Sequence, residues 1–110
     1  MAETFKANHV ALTTSNQDIV PAVAASTQTI ALSIRATNVD GTNDATVDVQ
    51  VVDTGGSPTA YIAKTMSVPA DTSLELAGSS KIVLETGDKI QALASASSDI
   101  EIFVSYLEIT

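Results

Sequence analysis

The residues with the most chemical promise lie in mid-chain. Val51-Val52-Asp53-Thr54-Gly55 places an aspartate at the mouth of a tight turn. In a dimer, such loops can set two carboxylates side by side sharing one proton, the chemistry by which paired aspartates cleave peptides. Three features oppose that use. The aspartate falls in mid-chain, a second glycine and a proline (Gly56, Pro58) extend the turn, and no glycine follows Gly87 to supply a supporting element. A turn closing two strands explains the segment completely.

Other candidates are weaker still. Asn38, Asp40, Asn43 and Asp44 crowd oxygens that would suit a calcium ion. Their spacing departs from the helix-flanked calcium loop, and Asx side chains serve turns by bonding their own backbone. His9 is the single histidine and has no serine or cysteine motif beside it, so it reads as structural. The chain has no cysteine, which removes disulfides and thiolate metal sites. No glycine-rich phosphate loop and no aromatic-basic patch is present. The only aromatics are Phe5, Tyr61, Phe103 and Tyr106, without tryptophan, which disfavours sugar binding. The residues point to no enzyme, no cofactor and no metal.

The elements around these residues are all strands. Thr4–Thr14 carries Val10 and Leu12 on one face, with Phe5, Ala7, His9 and Ala11 on the other. Neither face is strongly polar, so cover on both sides is expected. Ser15–Gln28 reads as a long loop, interrupted by Pro21 and tacked down by Ile19 and Val23. Thr29–Ala36 alternates, with Ile30, Leu32, Ile34 and Ala36 inward. Ala45–Asp53 returns with Val47, Val49 and Val51 inward, and the Asp40-Gly41 pair between these strands predicts a hairpin. Thr59–Val68, Thr72–Leu76, Lys81–Leu84, Ile90–Ser95 and Ile100–Ile109 follow. In Thr59–Val68, Ala60, Ile62, Met66 and Val68 share the expected inner face. Two short turns, Glu85-Thr86-Gly87-Asp88 and Ser97-Ser98-Asp99, join the last three strands.

Eight strands at even spacing, with no convincing helix, predict an all-β single-domain antiparallel sandwich spanning residues 1–110. Jelly-roll order is favoured over an immunoglobulin-like one, because the Cys…Trp…Cys pattern is absent.

The last strand departs from simple alternation. Ile100, Ile102, Val104 and Tyr106 share one face, yet Phe103, Leu107 and Ile109 are also apolar and lie opposite. A strand with one solvated face should not be patterned so. Either a bulge near Tyr106 resets the alternation, or another chain covers the outer face.

Bulk properties narrow the partners. The net charge of −8, from 5 basic and 13 acidic residues, repels a phosphate backbone and excludes nucleic acid. Only 16% of residues are charged, so the surface is Thr-, Ser-, Ala- and Asn-rich. No apolar run approaches the ~20 residues that cross a bilayer. The start, MAETFKANHVALTT, lacks the basic-then-apolar pattern of a secretory leader.

The string VPADTSLELAGSSKIVLETGDKIQALASASSDIEIFVSYLEIT resembles small all-β virion structural proteins of tailed bacteriophages. The shared pattern is V-P-A-x-T/S-x-L, then K-hydrophobic-V-L-E-x-G-D, then A-S-A-x-x-x-I/V, ending on E-I. The N-terminal half is similar to the same group. The resemblance implies a capsid decoration, or cement, protein that stabilises the assembled head by protein contacts. A tail, collar or fibre-adaptor protein is the alternative, and a carbohydrate- or receptor-binding module a further one. It implies a virion location, with the major capsid protein or other virion proteins as partners. It also implies homo-oligomerisation, a trimer by analogy. The expected interface residues are Phe103, Leu107 and Ile109.

Overall fold

The computed structural model describes residues 2–53, 59–77 and 80–110. Among the described residues, nine strands form two antiparallel sheets: β1 (Glu3–Ala11), β2 (Gln17–Val20), β3 (Gln28–Asn38), β4 (Ala45–Val52), β5 (Thr59–Val68), β6 (Ser73–Glu75), β7 (Ile82–Leu84), β8 (Lys89–Ala94) and β9 (Ile100–Ile109). Sheet A has the order β1-β9-β3-β6, with β7 also on β3. Sheet B has the order β2-β8-β4-β5. The expectation of eight strands is corrected to nine. The missed strand, β2, lies inside the segment read as a loop. It is four residues long and ends just before Pro21, too short to show a period.

Three expected pairings of consecutive strands are also corrected. β3 and β4 do not pair, because the Asp40-Gly41 turn carries the chain from sheet A to sheet B. β7, β8 and β9 likewise alternate between sheets, so the turns at Glu85–Asp88 and Ser97–Asp99 are crossovers. Gly87 does take positive φ (93°), as its turn requires. Thr54–Pro58, the rest of the aspartate-bearing turn, lies outside the described residues.

The two inner faces make one core. Sheet A contributes Ile34, Ala36, Ile100, Ile102 and Val104. Sheet B contributes Ile19, Val20, Val47, Val49, Ile90 and Ala92, with Leu12 and Leu84 closing the ends. From Ile100 to Tyr106, alternation along β9 holds the even positions inside and the odd ones outside.

Along β3 the phase breaks. Ala31 faces Tyr106 while Ser33 faces Ser105, a bulge that inserts one residue into β3. Thr29 and Ala31 are therefore buried before it and Ile34 and Ala36 after it, whereas Ile30 and Leu32 are only half-buried. The expectation that Ile30 and Leu32 point inward is overturned for this reason. β9 keeps an unbroken register with β1, so the irregularity opposite Tyr106 belongs to β3. In β5, Ala60 and Met66 prove exposed while Ala63 and Val68 are buried, because two register shifts interrupt its pairing with β4.

Polar side chains repair the joints. Asn38, fully buried, donates through Nδ2 to the carbonyls of Asn43 and Val68 (both 2.9 Å) and accepts the Asp40 N–H at 2.9 Å. One amide thus ties the β3–β4 crossover to the end of β5. Between β6 and β7, where the edge of β3 lacks a paired strand, Glu75 Oε2 accepts the Ile34 N–H at 2.8 Å and the Ala77 N–H at 3.2 Å.

Candidate functional site

The loop with the densest oxygens spends them on itself. Asp40 Oδ1 accepts the N–H groups of Thr42 (2.8 Å) and Asn43 (3.2 Å), and Oδ2 accepts Asn43 Nδ2 (3.2 Å). Those donors, the Thr42 N–H first, hold the Asp40 carboxyl below the usual aspartate range. Asp44 Oδ1 accepts the Ala70 N–H at 3.0 Å. Among the described residues, no three His, Cys, Asp or Glu side chains gather as metal ligands would. His9 sits on the exposed face of β1 opposite Phe103.

The unusual surface is the outer face of sheet A. Directly opposed residues in a sheet share a face. Phe5 on β1 opposes Leu107 on β9, Leu107 opposes Ile30 on β3, and Ile30 opposes Val83 on β7. An apolar row therefore crosses the whole sheet. Phe5 is 74% exposed and Val83 63%, while Leu107 and Ile30 between them are half-buried. The β3 bulge makes this row, since it turns Ile30 outward. Four residues further along β1 and β9, beyond Ala7, Ser105 and Ser33, the residues His9, Phe103, Arg35 and Glu75 form another row. Arg35 Nη2 lies 3.8 Å from Glu75 Oε1, and Phe103 is 48% exposed. Around Phe103, the side chains of His9, Ala11, Thr37 and Glu101 rim an open hollow of about 430 Å³.

Phe103, Leu107 and Ile109 all stand on this face, Ile109 half-buried between Glu3 and Gln28. Reading β9 alone missed Phe5, Ile30 and Val83. Phe5 was legible as an apolar residue on the same strand face as His9. Ile30 was not, because nothing in the local sequence marks the bulge.

Beside this face, β1 is a free sheet edge, exposed at most positions and half-buried only at Asn8 and Val10. Within the single chain, the expected cover on both sides is not supplied. Among the described residues β9 is its one ladder partner, and beneath it Val10 packs on the core and Asn8 Nδ2 donates to the Ile19 carbonyl at 3.1 Å. Lys6 leans back onto Glu108 at 2.7 Å. That hydrogen bond and the carboxylate charge raise the Lys6 pKa above its usual value.

The outer face of sheet B is different. Asp18, Gln91, Gln50 and Tyr61 form its central row. Gln91 Nε2 donates to Asp18 Oδ1 at 2.8 Å and Gln50 Nε2 to Gln91 Oε1 at 3.5 Å, so the polar side chains of the row bond to one another.

No helix among the described residues is long and apolar enough to cross a membrane. No family model matches the chain, and no curated protein matches it in sequence. Among solved structures it is similar to a protein described under "Bacillus endospore appendages form a novel family of disulfide-linked pili". The TM-score is 0.56 and the identity 14%, over 99% of this chain and 87% of that one. At that identity the similarity concerns the fold: an all-β sandwich of two antiparallel sheets.

Proposed function

We propose that this protein is a structural subunit that works by being packed against other chains, without catalysis. The observation that carries the reading is the apolar row Phe5–Leu107–Ile30–Val83 across the outer face of sheet A. A solvated face of an antiparallel sheet is ordinarily polar, and a contiguous apolar band on one marks a contact surface. The hydrogen-bonded amide row on sheet B supplies the internal contrast.

Within that role, the reading is a virion protein of a tailed bacteriophage, in first place a decoration protein seated on the assembled capsid. Its partners are then the major capsid protein and further copies of itself, with no part for nucleic acid. The strand order suits this reading. With β6 and β7 counted as one broken strand position, the order β1-β9-β3-β6/β7 over β2-β8-β4-β5 supports a jelly-roll reading of the sandwich. Binding only the assembled shell would stabilise it by mass action. A second reading, a subunit of a bacterial surface filament, is favoured by the fold similarity to the endospore pilus protein. That protein is described as disulfide-linked, and a chain without cysteine would have to assemble through non-covalent contacts.

Purified particles separate the readings. A decoration protein is present in copy numbers comparable to the major capsid protein, and a tail or collar protein in a small fraction of that. Phe5→Asp with Val83→Asp should abolish incorporation while leaving the fold intact. Undiminished incorporation of that double variant would overturn the contact surface.

A further inference from the structure

The free edge of β1 differs from the other edges of the molecule. β2 has four residues and a register shift, β6 and β7 are three-residue pieces, and β5 carries two register shifts. Short strands and bulges are the usual protections of an edge against pairing. β1 runs nine residues in unbroken register with β9.

The ladder shows which of its backbone groups are free. Ala2 and Thr110 exchange both their hydrogen bonds (3.2 and 2.9 Å), and Leu12 N–H donates to the Ile100 carbonyl at 2.8 Å. Even-numbered residues of β1 therefore bond inward to β9. Glu3, Phe5, Ala7, His9 and Ala11 turn their N–H and C=O groups away from the sheet. Among the described residues, no backbone hydrogen bond outside the strand ladders engages these groups.

We infer that β1 is a self-pairing edge, at which two copies of this chain join antiparallel about a two-fold axis through Ala7. This rests on the structural-subunit reading and names one of its partners. Among the described strands no other edge is as regular as β1, so its match is the β1 of a second copy, an isologous contact. Charge permits it, since β1 carries one acid, Glu3, and one base, Lys6, in a chain of net charge −8.

Register then follows. Centred on Ala7, all five outward-facing residues find partners: Glu3 meets Ala11 of the second copy, Phe5 meets its His9, and Ala7 meets Ala7. Five such pairs supply about ten backbone hydrogen bonds, a typical number for a specific interface. The same register brings Phe5, the most exposed large apolar residue, against the hollow beside His9 and Phe103 of the second copy. Knob and hollow are exchanged twice across the axis. Registers shifted by two residues lose an outward pair and misplace Phe5.

The test uses the absence of cysteine. Ala7→Cys introduces a single thiol, and in the paired state the two Cα atoms stand about 5.5 Å apart, within disulfide reach. Oxidation, or a short bis-maleimide, should link it into dimers. Ser33→Cys lies in the same row two strands inward, roughly 24 Å from its counterpart across five strand spacings, and should stay unlinked. Ala7→Pro removes an outward N–H that the monomer does not use, so it should sediment as a folded monomer. Phe5→Asp provides the same result without touching the backbone.

Equal linking of Ala7→Cys and Ser33→Cys, or a wild type that sediments as a monomer at every concentration, would overturn the pairing. Particles that still incorporate Ala7→Pro would place the wider structural role on the sheet A face alone. Loss of incorporation on Phe5→Asp with Val83→Asp, but not on Ala7→Pro, would likewise reject the edge and keep the face.

Discussion

β1 and β5 are both long edge strands, one on each sheet, and they are finished differently. β5 is interrupted twice. At the first interruption Thr65 takes a left-handed φ of 51°, a conformation β-branched residues avoid, and its N–H is held by Asp48 Oδ1 at 2.9 Å. Lys64 lies over the Tyr61 ring at 4.5 Å, adding charge to the same edge. β1 has no bulge, no positive φ and an apolar Phe5. The two outer faces differ in the same sense. Sheet B ends its surface in an amide ladder, while sheet A exposes an apolar row. A chain that protects one edge at the cost of backbone strain and leaves the other regular distinguishes a surface to be solvated from a surface to be joined.

The largest expected effect separates the inner from the outer face of sheet A. Ile34→Ala, at a fully buried position, should cost about 2–5 kcal/mol of unfolding free energy. Phe5→Ala should stay within about 0.5 kcal/mol for the monomer. Denaturant titration measures both, and a large loss at Phe5 would mean that the row supports the fold itself. Next comes the parity of β1. Asn8→Pro removes an inward N–H and the Asn8–Ile19 bond, at about 2 kcal/mol or more, whereas Ala7→Pro should cost less than about 1 kcal/mol. Equal losses would refute the assignment of inward and outward groups.

Smaller effects probe β5. Thr65→Gly should stabilise by up to about 1 kcal/mol through relief of the left-handed conformation. Asp48→Ala should destabilise by about 0.5–1.5 kcal/mol and loosen the bulge. The smallest effect is pH-dependent. Because the Asp40 carboxyl titrates below its ordinary value when folded, its contribution is complete above that value and is lost as pH falls through the folded one. Asp40→Asn should flatten this acid limb slightly. Lys6 behaves oppositely: its raised value gives a contribution that is complete below the usual lysine range and lost as pH rises through the folded value.

Much of the sandwich was legible because its inner strands obey one period. Ile100, Ile102 and Val104 alternate with polar or outward residues, and Val47 and Val49 do the same, so their inward faces were readable. What failed were long-range and irregular features. Asp40-Gly41 marks a tight turn, but a turn does not tell which sheet the returning strand will join. Leu32 and Ser33 carry no mark of the bulge that turns Ile30 outward, so the apolar row could not be assembled from spacing. Phe103, Leu107 and Ile109 stood out only because β9 is long enough to show two apolar faces at once. Phe5 lies among Ala7, His9 and Ala11, whose small or mixed character gives its face no apolar pattern.

The proposed phage virion role carries the expectation of a trimer, while the proposed β1 pairing calls for association in twos. Sedimentation equilibrium distinguishes these stoichiometries. A more direct test of the account is residue-resolved amide exchange along β1 over a concentration series. Thr4, Lys6, Asn8 and Val10 should be protected throughout, since they bond to β9. Phe5, Ala7 and His9 should exchange freely when dilute and become protected together as the chain associates. Outward amides that stay unprotected at the highest concentration, in a sample shown to have associated, would contradict the account and move the contact elsewhere.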